Sequence, residues 1–444
     1  MRFTRLKRIS TLLRVTRHER ILNHLERDYT EPVRDPLWKH IYLSKGLIRV
    51  IDSGRFQQLN RIKQLGPSFL VYPGATHTRL SHSLGVFHIA RRMIRTLVMR
   101  PDCPPLTLDG VKAFLTASLV HDLGHFPYAH SLKELPLKEH EKLTGEQCLE
   151  GDLRDRIADD VEADPAMVAA IVDESIEISE RDEIALYRSI LSGTLDPDKL
   201  DYLNRDAYFC GVPYGIQDLD FAVNRIVPTP EYRLALDLHG VSAVENILFS
   251  KYLMYRTVYW HRTVRIATAM IKRALYLALA ESAIRPQELY GLDDELFFAR
   301  CRSERFPAFR LIENVASRRL YKVVLDRPFD PDNSEMLRLS DLSCRNAAEH
   351  SLADSLSTKL ARRLDRTEVV IDIPEPVSFE ISMPIVDENG VVDYPNAGTV
   401  FTPQVIHDFT RTLRRIRVML PVDIAGTFDG QAEEIARSLK LPAR

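Results

Sequence analysis

Between residues 80 and 300 the apolar positions recur mostly at intervals of three and four, the spacing of helices that bury one face. Leu84, Phe87, Met93 or Ile94 and Leu97 mark one such helix, and Val111, Phe114, Leu115 and Leu119 mark the next. The same period predicts long helices over 198–209 and 242–283, and Phe56, Leu59, Ile62 and Leu65 predict another near 53–65. Residues 29–75 otherwise break into short apolar runs separated by turn formers, an irregular or β-containing lead-in. After about Thr367 the pattern changes. EVVIDI and SFEISMPIV are β-branched or alternating, Asn389-Gly390 is a hairpin signal, and VVDY reads as the returning strand. A closing helix is expected from Pro403 to about Leu420, stopped by Pro421. The expected class is therefore mainly α, a helical core carrying a small α+β C-terminal appendage. Its expected parts are a lead-in with a basic helix and short strands (1–50), the core (51–300), a helical extension (301–366) and the appendage (367–444), which doubles as the expected oligomer interface.

Composition narrows the partners. Of 444 residues, 45% are hydrophobic and 27% charged, which builds a packed globular protein and excludes disorder. Sixty basic against 62 acidic side chains leave a net charge of −2, so any site for a polyanion must be local. The Arg-rich residues 2–27 are one such patch, suited to single-stranded nucleic acid. Cys103, Cys148, Cys210, Cys301 and Cys344 are odd in number, scattered and without a CxxC pair, which argues against a disulfide framework or a thiolate zinc site and for a reducing, cytoplasmic setting. No run approaches the roughly 18 apolar residues of a membrane span, and the first residues lack the apolar stretch of a signal peptide. Glu19 and Glu26 continue the basic amphipathic start, against the acid-poor pattern of a transit peptide.

Histidine is where the chemistry concentrates. Seven of the fourteen, His77, His82, His88, His121, His125, His130 and His140, lie within one stretch of 64 residues. Imidazoles close to carboxylates suit a metal site or acid–base work, because neutral imidazole binds borderline metals and titrates near neutrality. In LTASLVHDLGHFPYAH the helical period runs to Leu119, and Gly124 is expected to end the helix in the left-handed conformation. His121 and Asp122 then stand at the helix end, about 100° apart around its axis, so an ion between them needs ligands from other helices. His82 and Asp198 are the candidates, with Tyr202 and Asp206 following Asp198 at i+4 and i+8 on one helical face.

TRLSHSLGV, LVHDLGHFPYAH and DKLDYLNRD resemble, in order and wording, the H…HD…D signature of the HD-domain phosphohydrolases. FQQLNRIKQLG, VYPGATHTRLSHSLGV and DKLDYLNRDAYFCGV look like the deoxynucleoside triphosphate triphosphohydrolase branch, over about Asp35 to Ile424. The resemblance implies an HD-type helical core and metal ligands His82, His121, Asp122 and Asp198. Such a mixed nitrogen and oxygen set suits one Mn, Fe, Zn, Co or Ni ion, with Mg accompanying the substrate phosphates. It further implies that His125, His130, His140 and Glu141 surround the scissile phosphorus, with His130 protonating the leaving oxygen. An acid three residues after this histidine is frequent in the family. Here Lys133 and then Glu134 follow, which leaves Glu141 to serve His130.

By the same resemblance Arg79 and Lys199 meet phosphate oxygens, Gln64 and Leu65 touch sugar and base, Tyr202 and Asp206 bound the ribose, and Tyr259 is a further sugar contact. A tyrosine ring beneath C2′ leaves no volume for a hydroxyl, which is how this branch prefers deoxyribose. Lys251 replaces an arginine that clamps the triphosphate, and Trp260 replaces a smaller polar residue, so base preference does not carry over. His77 and His88 read as surface or packing residues. In the segment that binds activating nucleotides in some members, Asp52 and Gln57 stand, but Asn60 replaces an arginine and Glu31 falls near a lysine position. These lost cations predict no nucleotide activation of the vertebrate kind.

The expected function is metal-dependent hydrolysis of a deoxynucleoside triphosphate to deoxynucleoside and inorganic triphosphate, by a homo-oligomer without membrane attachment. Two alternatives differ in kind. One is an HD phosphohydrolase or phosphodiesterase acting on another nucleotide or oligonucleotide, although HDxxED of the alarmone hydrolases and GYP of the cyclic-dinucleotide class are absent. The other is an oligomeric single-stranded nucleic-acid-binding protein with secondary catalysis.

Overall fold

Residues 29–44 alternate outward and inward side chains and fold back on themselves: β1 (Tyr29–Asp35) pairs antiparallel with β2 (Lys39–Ser44), burying Ile41 and Leu43. The computed structural model describes residues 19–178, 182–360, 362–388 and 390–442, most of them helical. A helix covers 19–27; residues 2–18 of the basic patch lie outside the described residues.

Four helices position the site. α1 (Arg79–Val98) and α2 (Leu108–Val120) pack side by side, α2 being capped by Thr107, whose hydroxyl accepts from the Gly110 N–H. α3 (His140–Leu149) follows the loop after α2. α4 (Pro197–Cys210) starts at Asp196, whose carboxylate accepts the Lys199 N–H at 2.6 Å, and stops at Gly211 in the left-handed conformation (φ 68°). Two glycines let these elements close on one another. A Cβ on Gly85 of α1 would lie 1.8 Å from Asp201 Oδ1 on α4, and one on Gly124 would lie 2.1 Å from the His140 carbonyl of α3. Gly124 is absent from the positive-φ glycines, so it serves by close approach and not, as its position suggested, by a left-handed turn.

The predicted helix over 242–283 is two. α5 (Val241–Met254) runs into a π turn at Tyr255–Tyr259, and α6 (Arg262–Ala280) restarts after His261, whose Nδ1 accepts the Thr263 N–H. The helix predicted near 53–65 is shorter, Gly54–Gln58 plus a 3-10 turn at Leu59–Arg61. Ile62 is extended (φ −112°, ψ 115°), which frees the Gln64 N–H to donate to the His77 carbonyl at 3.0 Å.

The tail is woven into the body. β3 (Ile226–Pro228) and β4 (Leu234–Asp237) form a hairpin; β7 (Pro384–Asp387) adds parallel to β4, and β8 (Gly390–Asp393) returns antiparallel. Asn389 of the expected turn lies outside the described residues. A second sheet has the order β5 (Lys322–Pro328), β9 (Arg415–Leu420), β6 (Val370–Asp372), so a strand interrupts the stretch expected to be a helical extension. α7 (Leu342–Leu360) and α8 (Pro403–Leu413) are the tail's longest helices among the described residues, and short helices at Val422–Ala425 and Ala432–Ser438 follow β9. The helix expected to reach Leu420 ends at Leu413, because Arg415–Leu420 becomes the central strand, hydrogen-bonded on both edges. Of SFEISMPIV only the end pairs as strand. Residues 373–383 have no regular structure, although Val377, Phe379 and Met383 are buried in the same core as α1, α2 and α4. Among the described residues no helix is long and apolar enough to cross a membrane.

Candidate metal and phosphate-ester site

At the start of α1, the end of α2 and the start of α4, four side chains from three distant segments of the chain meet. His82 Nε2 lies 2.9 Å from Asp198 Oδ1 and 3.9 Å from Asp122 Oδ2; His121 Nε2 lies 3.5 Å from Asp122 Oδ1 and 3.9 Å from Asp198 Oδ1. Ligand atoms of His82, His121 and Asp122 fall within 4.8 Å of one another, a grouping able to hold a metal ion.

The surroundings fix which nitrogen each ring presents. His82 Nδ1–H donates to Asp201 Oδ2 at 2.9 Å and His121 Nδ1–H to the Ser118 carbonyl at 3.0 Å, so both turn Nε2 inward, as metal-binding imidazoles oriented by an outer partner do. His121 Nε2 is buried with no hydrogen-bond partner, an orphaned nitrogen that a cation would satisfy. Burial opposes a charge on His82, but the carboxylates of Asp198 and Asp201 overcome it and push its pKa up to about 10. Two such carboxylates on one ring make the spot strongly cation-seeking. Burial likewise opposes ionisation of Asp122, yet the hydrogen bond from His125 and the Arg79 guanidinium, 2.7 Å away, hold its carboxyl well below the usual range.

Asp201 is the residue that sequence reasoning missed. Fully buried, it also accepts from Trp38 Nε1 at 2.5 Å and from both arms of Arg205 at 2.8 and 2.9 Å; Arg205 in turn reaches Asp35 at 2.8 Å. Its one trace in the sequence is the i, i+4 pair with Arg205, on the α4 stripe that adjoins the Asp198–Tyr202–Asp206 row.

Beside the His/Asp group a second cluster gathers His125, His130 and His140, with ring nitrogens within 4.8 Å of one another and His125 Nε2 3.0 Å from His130 Nε2. Burial first, then Arg79, lowers His125 to about 4. His130 opens to solvent, but the crowded protein around it and the facing His125, Arg79 and Lys133 hold it well below its ordinary value, and His140 is lowered for similar reasons. The carboxylate partner expected for His130 is not Glu141, which sits 3.0 Å from His140 Nδ1. Nor is it Glu134, which is bound by Lys272 and by Arg345 at 2.9 Å. Three neutral imidazoles side by side form a polar pocket that negative charge would turn cationic.

Further along α4, Asp206 is held at 2.7 Å by His77 Nε2 and at 2.7 Å by the Tyr259 hydroxyl, and the Tyr202 ring meets Tyr259 edge-on at 6.4 Å. His77 is therefore no surface residue: it is buried, stacked on Phe209 at 4.7 Å, and holds the candidate sugar-facing carboxylate. His88 does pack, against Trp38. Gln64 lies beside His77 with Oε1 buried and unpartnered, and Leu65 is half-buried next to it. Arg79 spends one nitrogen on Asp122 while its Nε stays buried without a partner. Lys199 and Lys251 lie together, both against Glu380, at 3.5 and 3.2 Å.

Imidazoles and carboxylates from three helices thus converge, beside a pocket of neutral imidazoles, in a centre able to hold a metal ion. The chain belongs to the HD-domain phosphohydrolase superfamily, with deoxynucleoside triphosphate triphosphohydrolases among its relatives. Residues 222–423 match the HD associated region family. An uncharacterized protein of Methanocaldococcus jannaschii is 32% identical over 65% of this chain and 58% of its own length. Deoxynucleoside triphosphate triphosphohydrolase SAMHD1 of Danio rerio is 28% identical over 68% of this chain and 57% of its own. The chain thus spans a little over half the length of the curated relatives it matches. A crystal structure of a hypothetical protein from Aquifex aeolicus superposes with a TM-score of 0.68 at 26% identity, over 90% of this chain and 99% of that one.

Proposed function

We propose that this protein hydrolyses deoxynucleoside triphosphates to the deoxynucleoside and inorganic triphosphate, with one divalent transition metal held by His82, His121, Asp122 and Asp198. The observation that carries it is the juxtaposition, along one face of α4, of the acid of the His/Asp group with Tyr202 and the Asp206 carboxylate clamped by His77 and Tyr259. That face offers a ring for the sugar and an acceptor for its 3′-hydroxyl two helical turns from Asp198. A bound ion there supplies Lewis acidity toward a phosphate oxygen and a lowered pKa for water.

The chain's own residues do the rest. Arg79 and the three imidazoles His125, His130 and His140 stabilise negative charge gathering on the phosphoryl oxygens. His130, neutral at rest, takes up a proton from solvent as the phosphate's charge arrives beside it, and gives that proton to the 5′-oxygen as water adds to the α-phosphorus and the P–O5′ bond breaks. Glu141 orients His140 through their 3.0 Å contact. The Tyr202 ring excludes a 2′-hydroxyl. Relatives named as deoxynucleoside triphosphate triphosphohydrolases, including the zebrafish protein, support this substrate class.

The test is product analysis after incubating Mn-, Fe- or Co-loaded protein with a mixed deoxynucleotide pool. Free deoxynucleoside with intact tripolyphosphate is expected. Release of pyrophosphate, or of orthophosphate alone, would overturn the proposal.

A further inference from the structure

Lys199 and Lys251 are the two ammonium groups that the family resemblance gives to a phosphate tail, and the chain already occupies both. Lys199 Nζ donates to Asp196 Oδ2 at 2.6 Å and to the Gly193 carbonyl at 2.9 Å, with Glu380 Oε2 at 3.5 Å. Lys251 Nζ donates to the Ser378 carbonyl at 2.6 Å and to the same Glu380 oxygen at 3.2 Å. One carboxylate oxygen therefore bridges the pair, in the manner of a phosphate oxygen.

Its carrier is the strap of residues 373–383 between β6 and β7. Val377, Phe379 and Met383 are buried, Phe379 edge-on to Phe409 at 5.9 Å, while Ser378 and Ser382 are exposed between them. The alternation holds the strap's backbone to the core and leaves Glu380 facing the two lysines. The Glu380 side chain keeps 39% of its exposure, so it can leave without unpacking the strap. Glu380 is near enough to bear electrostatically on Tyr202, the ring given to the sugar. The lysine pair and the carboxylate thus lie together, with Lys199 on the same helix as the sugar-facing ring of Tyr202.

We propose that Glu380 is a built-in competitor for the phosphate-tail subsite of Lys199 and Lys251: a polyphosphate enters by displacing its carboxylate, so this residue sets the affinity for the anion. This rests on the assignment of those lysines to the phosphate tail. A like charge about 4 Å from an incoming anion costs roughly fivefold in affinity in water-like surroundings and more where water is scarcer, so a gain of at least about tenfold is expected on removing a half-exposed carboxylate.

The experiment compares the full chain with Glu380→Gln and with Glu380→Gln/Lys251→Met, using inorganic tripolyphosphate as the calorimetric probe and KM for a deoxynucleoside triphosphate as the kinetic one. Thermal melts verify that each variant folds. Glu380→Gln is expected to bind tripolyphosphate at least about tenfold more tightly and to lower KM correspondingly, with kcat within about twofold; the added Lys251→Met should erase the gain. Unchanged or weakened binding in folded Glu380→Gln would overturn the proposal, as would a gain that survives loss of Lys251. Tighter tripolyphosphate binding by a protein that releases no tripolyphosphate would leave this inference standing while refuting the proposed activity. Tripolyphosphate release with an unshifted KM would do the reverse.

Discussion

Asp201 is the keystone of the candidate metal group although it offers no ligand atom inward. In Asp201→Asn the shape is kept and the charge is lost, with two separable effects. Arg205, fully buried, is left with Asp35 as its remaining carboxylate, and breaking a buried ion pair from one side destabilises by about 3 to 5 kcal/mol. His82 loses the anionic acceptor that directs its Nδ1–H, so Nε2 is no longer fixed toward Asp198; losses of such outer partners weaken metal binding by about 10- to 100-fold. Urea unfolding of chelator-treated protein reads the first effect, and calorimetric titration of Mn²⁺ into folded variant the second. A variant destabilised as expected but binding Mn²⁺ within about twofold of the parent would refute the idea that Asp201 orients His82.

Other outcomes follow from single contacts. Tyr202→Ala should raise turnover of ribonucleoside triphosphates relative to their deoxy counterparts by at least about tenfold, measured with paired substrates; an unchanged ratio would remove Tyr202 from sugar discrimination. Glu134 is opposed by burial but held below its ordinary pKa by Lys272 and Arg345. A depressed carboxylate stabilises above its unfolded value near 4.5 and ceases to as pH falls through its folded one, so Glu134→Gln should cost about 3 kcal/mol at pH 7, with the gap to the parent shrinking below about pH 4.5. Urea unfolding across pH checks it, and a pH-independent gap would contradict the sign. Adding GTP should leave the initial rate on other deoxynucleotides within about twofold, since Asn60 and Glu31 lack the charge to hold a second triphosphate; a several-fold rise would refute this.

Much of the site was legible because its residues sit in local words: His121 and Asp122 adjoin, and Asp198, Tyr202 and Asp206 share a helical face that needs only the 3.6-residue period to see. Asp201 was not, because one carboxylate beside a better candidate shows its purpose only when α1 and α4 pack, and that packing depends on Gly85 having no Cβ. His77 was passed over for a related reason: its partner Asp206 lies 129 residues away. The tail was harder still. Val405, Ile406, Phe409 and Leu413 keep a helical period that runs on plausibly into Ile416 and Leu420, yet β5 and β6 offer hydrogen bonds on both sides of Arg415–Leu420 and outweigh local preference. Glu380 lies in an alternating segment that reads as a strand, and nothing local announces that its backbone goes unpaired and its side chain meets lysines from two distant helices.

Anomalous diffraction from crystals grown with Mn²⁺ and without chelator tests the central claim most directly. A single strong peak within about 2.0–2.3 Å of His82 Nε2, His121 Nε2 and carboxylate oxygens of Asp122 and Asp198 is the predicted result. A peak ligated instead by His125, His130 and His140 alone, or none anywhere near α1, α2 and α4 at saturating Mn²⁺, would contradict it.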